Sequence, residues 1–169
     1  MDDQDDVLLS LSEELPKFVE YVGGNEFAYT LIPPLETLAR HEDTKVRDNA
    51  VEGIVQISGP LSEGEVEDQV IPVINRLSEA DWWTPRASAC GIIPSIYSQV
   101  STEQKASLKE IFVNLSNDPT PMVRRSAFSA MKNFVKVVDS DDVSSEIIDV
   151  VSSMSSDHQY SVRFLTVNT

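Results

Sequence analysis

Apolar residues recur along this chain at helical spacing, and the whole pattern repeats. Arg47, Arg86, Arg124 and Arg163 lie 39, 38 and 39 residues apart. Twelve residues before each stands Leu35, Ile74, Phe112 or Val151, and nine before stands Leu38, Leu77, Leu115 or Met154. Three after stands Ala50, Ala89, Ala127 or Thr166; four after stands Val51, Cys90, Phe128 or Val167. Ile54, Ile93 and Met131 follow the first three arginines by seven. The upstream and downstream sets each line one face of an amphipathic helix. Short polar stretches separate them, such as His41-Glu42-Asp43-Thr44 and Glu79-Ala80-Asp81. Each copy is therefore predicted to be a helix–turn–helix unit of 38–39 residues.

The breaks in the pattern divide the chain. Gly23-Gly24 and Gly59-Pro60 fall between copies. Val7-Leu8 falls where Val46-Arg47 falls one period later, so a single helix over residues 5–22 is the second half of a unit. The predicted array runs as a half unit at 1–24, full units at 25–61, 62–101 and 102–139, and an incomplete unit at 140–169. Pro33-Pro34 and Pro72 are expected to bend their first helices, because proline removes a backbone hydrogen bond. Asp and Asn in the turns are expected to cap the second helices, with Pro85 and Pro121 at their starts. Tetratricopeptide and ankyrin units are shorter, about 33–34 residues, whereas HEAT and armadillo units run roughly 40. The fold expected is all-α, a HEAT-repeat solenoid of stacked antiparallel hairpins in a right-handed superhelix, truncated at both ends.

Charge changes the picture next. The chain has 28 Asp plus Glu against 13 Lys plus Arg, a net charge of −15. That argues against nucleic acid or an anionic membrane surface as partner, since both reward clustered cations. Residues 1–84 hold 19 acids and 5 bases, whereas 103–138 hold three acids and six bases. A positive unit thus sits within an acidic chain. No apolar run is long enough to span a membrane. Cys90, the one cysteine, fits a reducing compartment, so the cytoplasm is expected, with the nucleus as the other candidate.

Little in the chain suggests catalysis. It has no glycine-rich phosphate loop and no GxSxG or HExxH motif. His41 and His158 occupy equivalent turns and read as solvated residues, and Cys90 stands in a core column. The acidic groups at 63–68 and 139–142 precede first helices, where negative charge is favoured. No metal, cofactor or enzymatic activity is expected. Arg47, Arg86, Arg124 and Arg163 recur at one position and are expected to form a structural ladder. Their partners would be turn aspartates such as Asp43, Asp81, Asp118 and Asp157. The Asp-to-Arg spacing is uneven, at 4, 5, 6 and 6 residues, so the ladder is expected to be irregular in the first two full units. Arg125 is an extra arginine in its unit and a candidate for docking. Trp82 and Trp83 share one turn, and at least one is expected at an interface.

Several runs resemble the N-terminal HEAT units of the scaffold (A) subunits of protein phosphatase 2A. The most specific are Asp81-Trp-Trp-Thr-Pro-Arg-Ala-Ser-Ala-Cys-Gly and Asp118-Pro-Thr-Pro-Met-Val-Arg-Arg-Ser-Ala. Val46-Arg-Asp-Asn-Ala-Val-Glu, Val7-Leu-Leu-Ser-Leu-Ser-Glu-Glu-Leu and Ser145-Glu-Ile-Ile extend the resemblance over nearly the whole chain. It implies a horseshoe scaffold whose early turns bind regulatory B subunits and whose last units bind the catalytic subunit. Carried over by position, the docking residues implied are Trp82, Trp83 and Thr84, then Pro121, Met122, Arg124 and Arg125. Glu42, Asp43, His158 and Tyr160 flank them on neighbouring turns. Units resembling the surface for the catalytic partner are absent from this chain, so that partner is expected only if a longer form supplies them. The other reading is an adaptor whose concave helix face grips an extended peptide, as in transport or assembly factors.

Overall fold

The computed structural model describes residues 3–138 and 147–164. Among these, ordered elements are helical throughout. The leading half unit is α1 (Asp3–Glu14), continued by a 3₁₀ segment at Leu15–Glu20. One uninterrupted helix over 5–22 does not form. Pro16, near the start of the 3₁₀ segment, has no N–H for the α-helical ladder, and the chain tightens there.

The first full unit pairs a 3₁₀ segment (Asn25–Leu31) and α2 (Ile32–Leu38) with α3 (Thr44–Ser58). In the second, a short α4 (Glu63–Glu65), a π-turn (Val66–Val70) and α5 (Ile71–Ser78) pair with α6 (Trp83–Ile96). The third pairs α7 (Thr102–Ser116) with α8 (Pro121–Phe134). The last pairs α9 (Ile148–Ser155) with α10 (Tyr160–Arg163). The prolines of the first helices mark their irregularities. Pro33-Pro34 and Pro72 sit where a 3₁₀ segment or a π-turn passes into α-helix, while α7, which has no proline, runs unbroken. Between the half unit and the first full unit, Gly23 and Gly24 take φ of 111° and 84°, a region costly for other residues.

Each first helix packs on its own second helix, and the second helices form a row in the order α1, α3, α6, α8. The repeat columns are the core. Leu35, Ile74 and Phe112 are buried upstream; Ala50, Ala89, Ala127, Ile54, Ile93 and Met131 are buried downstream. Thr166 and Val167 lie outside the described residues, as do the acidic group at 139–142 and Ser145. Alanine in the first downstream column lets second helices approach closely. Gly53 goes further: a Cβ there would lie 2.6 Å from Pro16 Cγ and 3.1 Å from Leu35 Cδ2. Phe134 joins units by stacking on Phe112 at 4.1 Å and meeting Tyr97 edge-on at 5.2 Å.

Candidate functional site

The turns that join first to second helices stand one above another, and the ladder arginines fix them. Each arginine begins with the same local task. Arg86 Nη1 donates to the carbonyls of Ala80 and Asp81, both at 2.8 Å. Arg124 Nη1 donates to Asp118 and Pro119, Arg47 Nη1 to His41 and Glu42, and Arg163 Nη1 to Asp157. The guanidinium thereby satisfies turn carbonyls that have no helical partner.

The rest of the guanidinium reaches the next unit. Arg86 Nε and Nη2 bind the two carboxylate oxygens of Asp118 at 2.7 and 3.1 Å. Arg124 does the same with Asp157, at 2.6 and 3.0 Å. Such two-point pairs fix orientation as well as distance. Asp118 and Asp157 also accept from the backbone N–H of Thr120 and Gln159. Burial pushes the Asp118 carboxyl up, but the Arg86 and Thr120 hydrogen bonds outweigh it and hold it below its ordinary value. Asp157 is held low mainly by Arg124.

The first rung is different. Residue 80, six before Arg86, is alanine where the later units have Asp118 and Asp157. Arg47 pairs with no carboxylate among the described residues. Its guanidinium lies instead against the Trp83 ring, 5.2 Å from the centroid. Only 6% of Arg47 is exposed, and burial lowers its pKa. The joint between the first two full units is closed by other bonds. Thr84 Oγ1 donates to the Arg40 carbonyl at 2.9 Å, and Ser88 Oγ to the Ala39 carbonyl at 2.7 Å. On the first-helix side, Glu36 accepts from Arg76 at 2.9 and 2.6 Å and from Arg40 at 3.0 Å.

The expected turn residues divide into fastened and free groups. Thr84 is 1% exposed and belongs to the inter-unit joint, so its hydroxyl is unavailable to a partner. Asp43 caps α3, accepting from the N–H of Lys45 and Val46. Turn aspartates do not cap the other second helices: Trp82, Thr120 and Gln159 hold those N-cap positions without a side-chain bond. Asp118 and Asp157 turn instead to the ladder, while Asp81 contributes its carbonyl to Arg86. Trp83 is half-buried against the core, whereas Trp82 is 58% exposed. Met122 is 49% exposed and Tyr160 69%. Three successive turns thus each present one large apolar side chain to solvent. Arg125 is exposed beside Met122 and makes no ion pair among the described residues. Glu42 and His158 are exposed, and Pro121 is half-buried at the start of α8.

No group of three His, Cys, Asp or Glu side chains among the described residues is arranged to hold a metal ion. Cys90 is fully buried, and burial pushes its thiol far above the range in which it reacts.

Residues 31–59 and 108–138 match the HEAT repeat family model. The chain is 41% identical over 99% of its length to the Caenorhabditis elegans protein named "Probable serine/threonine-protein phosphatase PP2A regulatory subunit", covering 28% of that protein. It is 42% identical over 88% of its length to the Dictyostelium discoideum "Protein phosphatase 2A scaffold subunit", covering 25% of it. It is 45% identical over 82% of its length to the Drosophila melanogaster "Serine/threonine-protein phosphatase PP2A 65 kDa regulatory subunit", covering 24% of it. The chain therefore spans about a quarter of the length of these curated relatives. Among solved structures, Cex1p matches 99% of the chain at a TM-score of 0.70 and 18% identity, covering 32% of that chain. A designed armadillo repeat protein matches 98% of this chain and 74% of its own at a TM-score of 0.51 and 18% identity. These two likenesses establish the α-solenoid fold.

Proposed function

We propose that this chain, a run of HEAT repeats homologous to the regulatory A (scaffold) subunits of protein phosphatase 2A, is a non-enzymatic scaffold whose turn ridge docks regulatory B subunits. The homology supports the scaffold role. The observation that carries the docking surface is the row of exposed apolar side chains, Trp82, Met122 and Tyr160, on consecutive turns. Arg86–Asp118 and Arg124–Asp157 hold those turns in fixed relation before a partner arrives. Preset spacing reduces the ordering cost of binding, and exposed aromatic and Met side chains are common anchors. Arg125 adds a cation beside Met122 in the one locally positive unit. A partner suited to this ridge carries apolar pockets at the spacing of the turns and an acidic patch facing Arg125.

Binding of a purified B subunit to the immobilised chain tests this reading. Trp82→Ala and Met122→Ala together are expected to weaken binding at least about tenfold, the loss of one modest hot spot. Unchanged affinity in the folded double variant would overturn it.

A further inference from the structure

Burial divides the methionines of this chain. Met131 and Met154 are each 1% exposed and stand in core columns of their units. Met1 lies outside the described residues. Met122 is 49% exposed in the first turn of α8, between Trp82 and Tyr160 on the ridge. Cys90 is fully buried. Among the described residues, Met122 therefore holds the one sulfur that a dissolved oxidant meets without the fold opening.

Met122 also has a cation beside it. Residues three apart on a helix are surface neighbours, so Arg125 stands next to Met122 on α8. Both side chains line the same open hollow between second helices. Arg125 is exposed and makes no ion pair among the described residues. A thioether is a weak acceptor and offers the guanidinium little. A sulfoxide oxygen carries partial negative charge and accepts strongly. The position that leaves this sulfur open to oxidant thus also supplies a donor for the product.

We infer that Met122 is a reversible oxidation site for hydrogen peroxide or an organic hydroperoxide, and that its sulfoxide, held by Arg125, disables the ridge. This rests on the docking surface proposed above and supplies its regulation. In the oxidation, a sulfur lone pair attacks the terminal peroxide oxygen. An S–O bond forms and the O–O bond breaks. The other oxygen takes the proton and leaves as water or an alcohol, so sulfur loses two electrons and the peroxide gains them. The return step uses two thiols, which remove the oxygen as water and end as a disulfide. The sulfoxide is polar where docking uses an apolar side chain. By engaging Arg125, it also withdraws the cation from a partner's acidic patch. A docked partner in turn covers the sulfur, so binding and oxidation oppose each other.

The test treats the full chain with graded hydrogen peroxide, and mass spectrometry of its peptides follows the gain of one oxygen at each methionine. Met122 is expected to oxidise at least about tenfold faster than Met131 and Met154. At a dose that converts Met122 alone, and after catalase removes the peroxide, binding of a purified B subunit is expected to weaken at least about tenfold. Circular dichroism is expected to be unchanged, and methionine sulfoxide reductase with dithiothreitol to restore binding. Met122→Leu has no thioether at this position, so its affinity, whatever its starting value, is expected to be the same before and after peroxide. Arg125→Ala is expected to lose less affinity on oxidation than the parent chain; an equal loss would overturn the role of Arg125. Equal oxidation rates at the three methionines would overturn the inference, as would full binding by the chain oxidised at Met122. If the Trp82→Ala, Met122→Ala double variant binds weakly and the oxidised chain binds fully, the switch fails and ridge docking stands. If both bind fully, both fail.

Discussion

Arg86 of one unit and Asp118 of the next are joined through both carboxylate oxygens, and neither side chain is more than slightly exposed. This pair bears on stability because its loss strands a charge. Asp118→Ala leaves the Arg86 guanidinium desolvated and short of its anion, and breaking a buried pair from one side costs about 3 kcal/mol. Urea unfolding is expected to show that loss. Asp118→Asn, which keeps the size and one acceptor, is expected to lose less.

The adjacent tryptophans are expected to separate cleanly under mutation. Trp83→Ala removes core packing and the indole against Arg47, for a cost of roughly 2–3 kcal/mol. Trp82→Ala removes an exposed side chain and is expected to change stability by less than about 0.5 kcal/mol. Thermal melts of the two variants check this directly. Equal destabilisation would contradict the assignment of Trp82 to the ridge and Trp83 to the core.

Acid is expected to loosen the joints between units. Asp118, Asp157 and Glu36 all have folded pKa values below their ordinary ones. For Asp157 the arginine pairing is the leading cause. For Asp118 and Glu36, burial opposes the shift and the arginine bonds exceed it. A lowered carboxylate binds protons more readily in the unfolded chain, so its stabilisation is complete above the ordinary range near 3.8 to 4.5 and is lost as pH falls through the folded value. Asp48, whose carboxyl is raised by burial, acts in the opposite sense. Unfolding midpoints in urea are expected to be flat from neutral pH to about 5 and to fall steeply below 4. In Asp118→Asn the fall should be shallower.

Gly53→Ala is expected to destabilise although alanine is the better helix former by about 1 kcal/mol. The new Cβ would stand 2.6 Å from the Pro16 ring, which cannot swing aside as a flexible side chain would. Overpacking of this kind costs about 1–3 kcal/mol and exceeds the propensity gain. Denaturant midpoints compare it with Gly64→Ala, where a Cβ meets nothing within 4 Å.

The repeat was legible because its columns are simple. Leu35, Ile74 and Phe112 need only be apolar at one phase of a helix, and that is visible in one dimension. The uneven Asp-to-Arg spacing pointed to an irregular ladder in the first two full units; Arg47 of the first departs from the pattern, whereas Arg86 of the second keeps the two-point pair with Asp118. What replaced the missing rung was not legible. Alanine at position 80 is noticeable only after Asp118 and Asp157 are seen to sit six before their arginines, and the packing of Trp83 on Arg47 depends on tertiary approach. Thr84 lay next to the tryptophans and shared their docking assignment, yet its hydroxyl turns inward to Arg40. A threonine at a turn has the same letter whether it faces a neighbour or water. Surfaces shared between helices are equally hidden, since Ala87, Gly91 and Ser126 come together only when α6 and α8 lie side by side.

The joint whose ladder arginine meets an indole rather than a carboxylate lies near the start of the row of second helices. Units connected in series act as a lever, so a small rotation at one joint displaces distant turns in proportion to their separation from it. Met122 and Tyr160 lie on the far side of that joint from His41 and Asp43. Its stiffness therefore governs how well the two ends of the ridge stay in step, and a substitution at Trp83 would act on partners that never touch it.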